Sequence, residues 1–156
     1  MGFFAGLRGA RRDNKELGLG VWRRAHDRFE RGLDRFHQVL EGIEGDELYN
    51  GLVEIANGLA DLQQPVRAVC RRAQELKPST GTDIPAGADV VHRALSKAAN
   101  DLAMAAQAAA MARLEVEPLG AGTTGNDLHV LENVARRAET VAAGVRHAEE
   151  AVLRLS

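Results

Sequence analysis

The sequence predicts an all-α fold, an antiparallel up-down-up-down four-helix bundle with heptad-type seams. Three observations predict it. Four long stretches repeat apolar residues at alternating steps of four and three, and no stretch shows the period of two that marks a half-buried strand. The links between the four stretches are short and carry Gly, Pro and Asp.

The first helix is expected over about 14–43, with Trp22, His26, Phe29, Leu33, Phe36, Leu40 and Ile43 on its seam. Asp13 or Asn14 is placed to cap it, and Gly42 to Gly45 to end it before Asp46 caps the next. The second is expected over 46–76, through Leu48, Leu52, Ile55, Leu59, Leu62, Val66, Val69, Ala73 and Leu76, and Lys77-Pro78 stops it. Pro65 removes one backbone donor inside this run, so a single bent helix is expected, because the register continues into Val66 and Val69.

The third helix is expected over 85–114 with Ala88, Val91, Leu95, Ala98, Leu102, Ala105, Ala109 and Ala112 inward. Asn126 or Asp127 is placed to cap the fourth, over 127–155, with Leu131, Val134, Ala138, Val141, Val145, Ala148, Val152 and Leu155 on its seam. Each helix would span roughly 40–47 Å at a rise of about 1.5 Å per residue. Small residues beside the seams (Ala25, Gly32, Gly51, Gly58, Ala99, Ala106, Ala142 and Gly144) are expected to let backbones approach, so that Gly58→Leu would overpack the interface. Residues 14–156 read as one domain. Residues 1–13 read as a basic, apolar N-terminal segment, either flexible or packed on the body, since Gly2, Gly6 and Gly9 weaken a helix there.

With 156 residues, 45% hydrophobic and 27% charged, the chain can bury a core without disulfides or a structural metal. Its one cysteine, Cys70, has no internal partner, and no Cys/His cluster suggests zinc. A reducing, cytoplasmic location is therefore expected. The start is too short and too basic beyond Leu7 for a signal peptide, and Ala103 to Ala112, interrupted by Gln107, falls well short of the roughly 20 residues a bilayer span requires.

Candidate chemistry is sparse. Gly120-Ala-Gly-Thr-Thr-Gly125 matches a phosphate-binding glycine pattern but follows a helix and Pro118 instead of a strand, so it reads as a connecting loop. Asp34-x-x-His37 and Asp89-x-x-His92 place their aspartates toward solvent and their histidines on a flank, which does not assemble a di-iron site. His26 is a candidate buried polar site. It falls near the level of Pro65, Ala99 and Val141 with Asp101 and Gln63 a turn away, and an imidazole bonded to one partner is favoured over a ligand or metal centre. Cys70 lies among Arg67, Arg71 and Arg72, which can activate a thiol, but no base accompanies it, so an inert thiol is favoured. No catalytic, cofactor-binding or metal-ligating set is expected, and the chain reads as a non-enzyme.

Charge is more informative. Residues 1–36 carry nine Lys/Arg against five Asp/Glu, a balance of +4, and residues 65–77 carry four against one, or +3. Residues 37–64 hold six acids and no Lys or Arg, while the whole chain nets −2. A hairpin would superpose the two basic segments. Phe3, Phe4, Leu7, Arg8, Arg11, Arg12, Arg67 and Arg71 are thus candidate contacts for an acidic protein partner or an anionic membrane surface. Ala103, Met104, Gln107, Ala110 and Met111 point away from the third seam and form a candidate homodimer interface. Sequence-specific nucleic-acid binding is not expected, for want of a helix-turn-helix spacing or an aromatic platform. The leading expectation is an interaction protein that self-associates through the third helix and offers its Arg-rich end to an acidic partner. Peripheral membrane docking through residues 1–12 and a ligand or metal site at His26 are the alternatives.

Overall fold

The computed structural model describes the backbone of residues 2–116 and 124–156, and the side chains of 6–112 and 127–156. The fold is all-helical. Among the described residues there are six helices: α1 (Gly2–Leu17), α2 (Val21–Glu41), α3 (Asp46–Ala60), α4 (Gln63–Leu76), α5 (Asp89–Val116) and α6 (Thr124–Leu153). Two of the four expected helices are each divided in two.

The first division falls at Gly18-Leu19-Gly20. Gly18 has φ +72°, in the left-handed region that favours glycine, and its N–H donates to the Asn14 carbonyl to close α1. The chain then reverses. Asp13 and Asn14 of α1 meet Arg23 of α2, and Arg12 lines the same pocket as His26 and Glu30, so α1 folds back along α2. Residues 2–17 are helical, where the first expected helix began at about 14; the ion pairs to α4 described below, together with buried Leu17, offset the cost of Gly6 and Gly9.

The second division, at Asp61-Leu62, has Pro65 as its cause. Proline has no N–H for the carbonyl four residues back, and its ring crowds that carbonyl, which belongs to Asp61. Leu62 N–H turns instead to Leu59 O at 3.1 Å, a tightened turn. Pro65 then occupies the first turn of α4, where a missing donor is tolerated. The third helix begins at Asp89 and not at 85, because Gly87 takes φ +84° and Ala88 N–H closes a turn onto Pro85 O. The fourth begins at Thr124, earlier than its expected cap at Asn126 or Asp127. Gly120 to Thr123 of the glycine pattern lie outside the described residues.

The seams form the core. Trp22, Phe29, Leu33, Phe36, Leu48, Leu52, Leu59, Val66, Val69, Leu95, Leu102, Val134, Val141 and Val145 are all buried, and so are Ala105, Ala109 and Ala112 of α5. Small residues let α5 and α6 approach closely: a Cβ at Gly144 would stand 3.3 Å from that of Ala98. Ala98 beside Gly144 and Ala112 beside Val130 set α5 and α6 antiparallel. Trp22 beside His92 and Gly32 beside Leu102 set α2 and α5 parallel. Gly51 beside Leu131 and Leu62 near Ala138 and Ala142 do the same for α3–α4 and α6. The α2 arm thus neighbours α3–α4 and α5, and α6 neighbours α5 and α3–α4.

Gly32 and Gly51 are close-approach positions, since an added Cβ would come within 2.7 Å of Leu102 and 2.6 Å of Leu131 respectively. Gly58 is not, and the expectation of overpacking there is corrected: it is exposed, with nothing within 4 Å of an added Cβ. It borders an open groove of about 250 Å³ between α3 and α6. Gly58→Ala is expected to stabilise the protein by about 0.5–1 kcal/mol through helix propensity and a less flexible unfolded chain. Urea denaturation measures this, and a lower midpoint would show that the groove is filled.

Candidate functional site

The polar residues with structure around them gather where α1, α2 and α4 meet. Arg67 of α4 is the hub. Its Nη1 lies 2.7 Å from Asp13 Oδ1, and its Nη2 donates to Glu16 Oε2 at 2.8 Å. Glu16 also accepts from Arg12 Nε at 3.2 Å. Hydrogen bonds from Arg67, and then from Arg12, hold the Glu16 carboxyl below the usual carboxylate range. Asn14 accepts from Arg23 Nη1 at 2.6 Å, and Arg23 Nε donates to Asp27 at 3.0 Å.

His26 sits in the floor of this joint, 5% exposed. Its Nδ1 is 3.0 Å from Asp27 Oδ1, and its Nε2 is 3.6 Å from Glu30 Oε1. A neutral imidazole donates through one nitrogen, and only the Nδ1 contact is within hydrogen-bond reach. Glu30 accepts from Gln63 Nε2 at 2.8 Å. Gln63 therefore lies about a turn from His26, where its spacing placed it, and Asp101 accepts from Lys97 at 2.7 Å on its own helix. Arg12, Asp13, His26, Asp27, Glu30, Gln63, Gln64 and Arg67 line an open polar pocket of about 390 Å³. Among the described residues, no group of three or more His, Cys, Asp or Glu could hold a metal ion.

The candidate docking residues divide. Arg67 is half-buried and paired with Asp13 and Glu16, so it serves the joint. Arg8, Arg11, Arg12 and Arg71 are exposed, as is Leu7 at 43%. Phe3 and Phe4 lie in the first turn of α1, and their side chains are outside the described residues. The fold-back moves α1 away from the Lys77 end, because Arg12 comes level with Gln63 and Gln64. Arg23 and Arg24 stay beside the 67–81 segment, as the superposed basic segments require, while Arg8, Arg11 and Arg12 run away from it.

On α5, Ala103, Met104, Gln107 and Met111 are exposed and Ala110 is half-buried. Beside them a groove of about 270 Å³ is walled by Met104, Ala108, Met111 and Val130, with Asn133 and Arg137 at its polar edge. Of the two Asp-x-x-His pairs, His37 bonds Leu33 O, while His92 packs edge-on to Trp22 at 6.1 Å. Burial, then the charges of Arg24 and Arg28, lower the His92 pKa.

Cys70 is fully buried, and burial pushes its thiol up to about 12. It is expected not to react with a thiol reagent in the native protein at pH 8 and to react fully in denaturant; titration at native pH would expose the error. The sign for stability follows: an unfolded thiol ionises near 9 and the native one near 12, so the fold loses stability as pH rises through that interval.

Sequence spacing missed one polar anchor. Ser79 Oγ accepts from Val21 N–H at 3.0 Å, capping α2 from 58 residues away. Ser79 N–H donates to Gln74 Oε1 at 3.0 Å, Trp22 Nε1 donates to Lys77 O at 2.8 Å, and Arg24 bonds Gly81 O. Only the Gly18 and Gly20 pair signalled it. Comparison with known protein families, curated proteins and solved structures returns no match.

Proposed function

We propose that this is a non-enzymatic interaction protein, an up-down-up-down bundle of four arms that presents α1 to an acidic surface, with the 77–88 link crossing between diagonal arms. The observation that carries the reading is the partition of charge around α1. Asp13, Glu16 and Leu17 face the body, at helical spacings of three and four. Leu7, Arg8, Arg11 and Lys15 are exposed, and positions 7, 11 and 15 share one stripe. A chain with a net charge of −2 thereby offers a cationic face. Retention on a sulfonate matrix at pH 7, lost in Arg8→Gln/Arg11→Gln/Lys15→Gln with the circular dichroism unchanged, is the expected result. A parent that flows through overturns it.

A second reading, self-association as a homodimer, is favoured by the exposure of Met104 at 44% and Met111 at 52% beside the α5–α6 groove. Unbranched methionines adapt to a facing surface. Light scattering should show a dimer for the parent and a monomer for Met104→Glu/Met111→Glu; a monomeric parent at high concentration rejects it.

A further inference from the structure

We infer that α1 is a detachable helix whose target is an anionic lipid bilayer, held on the body by the Arg67 clasp until it meets one. The inference rests on the docking reading above. Among the described residues no helix is long and apolar enough to cross a membrane, so the contact is with the interface alone.

Four observations carry it. The grip on α1 is polar: of residues 6–17 only Leu17 is buried, and the rest of the hold consists of Asp13 and Glu16 on Arg67 and of Asp13 and Asn14 on Arg23. Such partly exposed ion pairs are weak and fall with salt. The seat is open to water on one side, where a polar pocket of about 390 Å³ lies between Arg12 and Asp13 of α1 and the side chains of α2 and α4. The joint is short and built to turn, with left-handed Gly18 followed by exposed Leu19 and then by Gly20 anchored at Ser79. Movement at Gly18 and Leu19 therefore leaves the start of α2 undisturbed.

The fourth observation selects lipid over an acidic protein. The outward face mixes apolar Leu7 with Arg8, Arg11 and Lys15 in little more than two turns. Cations satisfy headgroup phosphates while apolar side chains enter the acyl boundary, a combination that a helix lying flat in an interface provides. An acidic protein surface uses the cations and leaves the apolar residues in water. Anionic phosphates and the α1 carboxylates then have opposite demands: the first attract α1 outward, the second tie it to Arg67.

The test uses the full chain with Leu7→Cys carrying a solvatochromic dye; buried Cys70 leaves that site as the reactive thiol. Vesicles of phosphatidylcholine with phosphatidylserine are compared with phosphatidylcholine alone. A blue shift and co-sedimentation with the anionic vesicles only, reversed by high salt, are expected. Arg67→Met, which keeps the apolar stem, should bind the anionic vesicles roughly fivefold more tightly, as loss of one or two partly exposed ion pairs implies. Arg67→Ala is the second variant, with fluorescence of buried Trp22 reporting the fold of each. No shift on anionic vesicles in the parent and both variants overturns the lipid assignment, and sulfonate retention that persists shows that the docking reading survives it. Equal affinity of parent and folded Arg67 variants overturns the clasp.

Discussion

Gly20→Ala is expected to destabilise the protein by about 3 kcal/mol, although it adds one methyl group at a helix start. Gly20 has ordinary negative φ, −105°, so the cause is not backbone strain. An added Cβ would stand 2.2 Å from Ser79 Oγ and 2.4 Å from the Ser79 carbonyl carbon and oxygen. Backbone atoms cannot swing aside as a long side chain does. The 77–81 segment must lift, which breaks the Ser79 cap on Val21 and strains the Lys77 carbonyl on Trp22. At this chain length the melting temperature should fall by roughly 6–12 °C. A thermal melt of Gly20→Ala within a degree of the parent would mean that the segment is not seated on α2. Gly58→Ala, the same substitution in open space, moves the other way.

Trp22→Ala is expected to cost about 4 kcal/mol. The indole is fully buried, touches His92 edge-on and donates to Lys77 O, so truncation leaves a large cavity and an unpaired carbonyl together. Trp22→Phe separates the two effects. It keeps most of the volume and forfeits the hydrogen bond, for a loss of about 1–3 kcal/mol. Urea denaturation followed by circular dichroism ranks the three proteins; Trp22→Phe as damaging as Trp22→Ala would assign the whole effect to the carbonyl.

The heptad spacing made the core legible because burial in a helical bundle is a local rule: every third or fourth residue faces inward whatever lies opposite. It named Trp22, Phe29 and Phe36, and the alanines of α5. The divisions at Gly18–Gly20 and Asp61–Leu62 were not legible from the seam, because apolar residues keep their spacing across a break. Pro65 was read as a bend within one helix, and its steric reach to Asp61 is what divides the run in two. The weak helix formers Gly6 and Gly9 argued against α1, and tertiary ion pairs to Arg67 overrode them. His26 and Gln63 were legible as neighbours through the hairpin register. Asp101, on the arm parallel to α2, bonds Lys97 of its own helix. The Ser79 cap was beyond local reading, because its partner lies 58 residues away.

The link between α4 and α5 divides into two parts with different duties. Lys77 to Gly81 is fastened to the start of α2, while Thr82, Asp83, Ile84, Ala86 and Gly87 are exposed. The second part is a tether joining two helical hairpins that already hold one another through their apolar faces. A peptide bond cut there leaves both hairpins whole and every fastening intact, so the two fragments should find each other and reassemble, and the same place accepts an inserted tag or reporter domain.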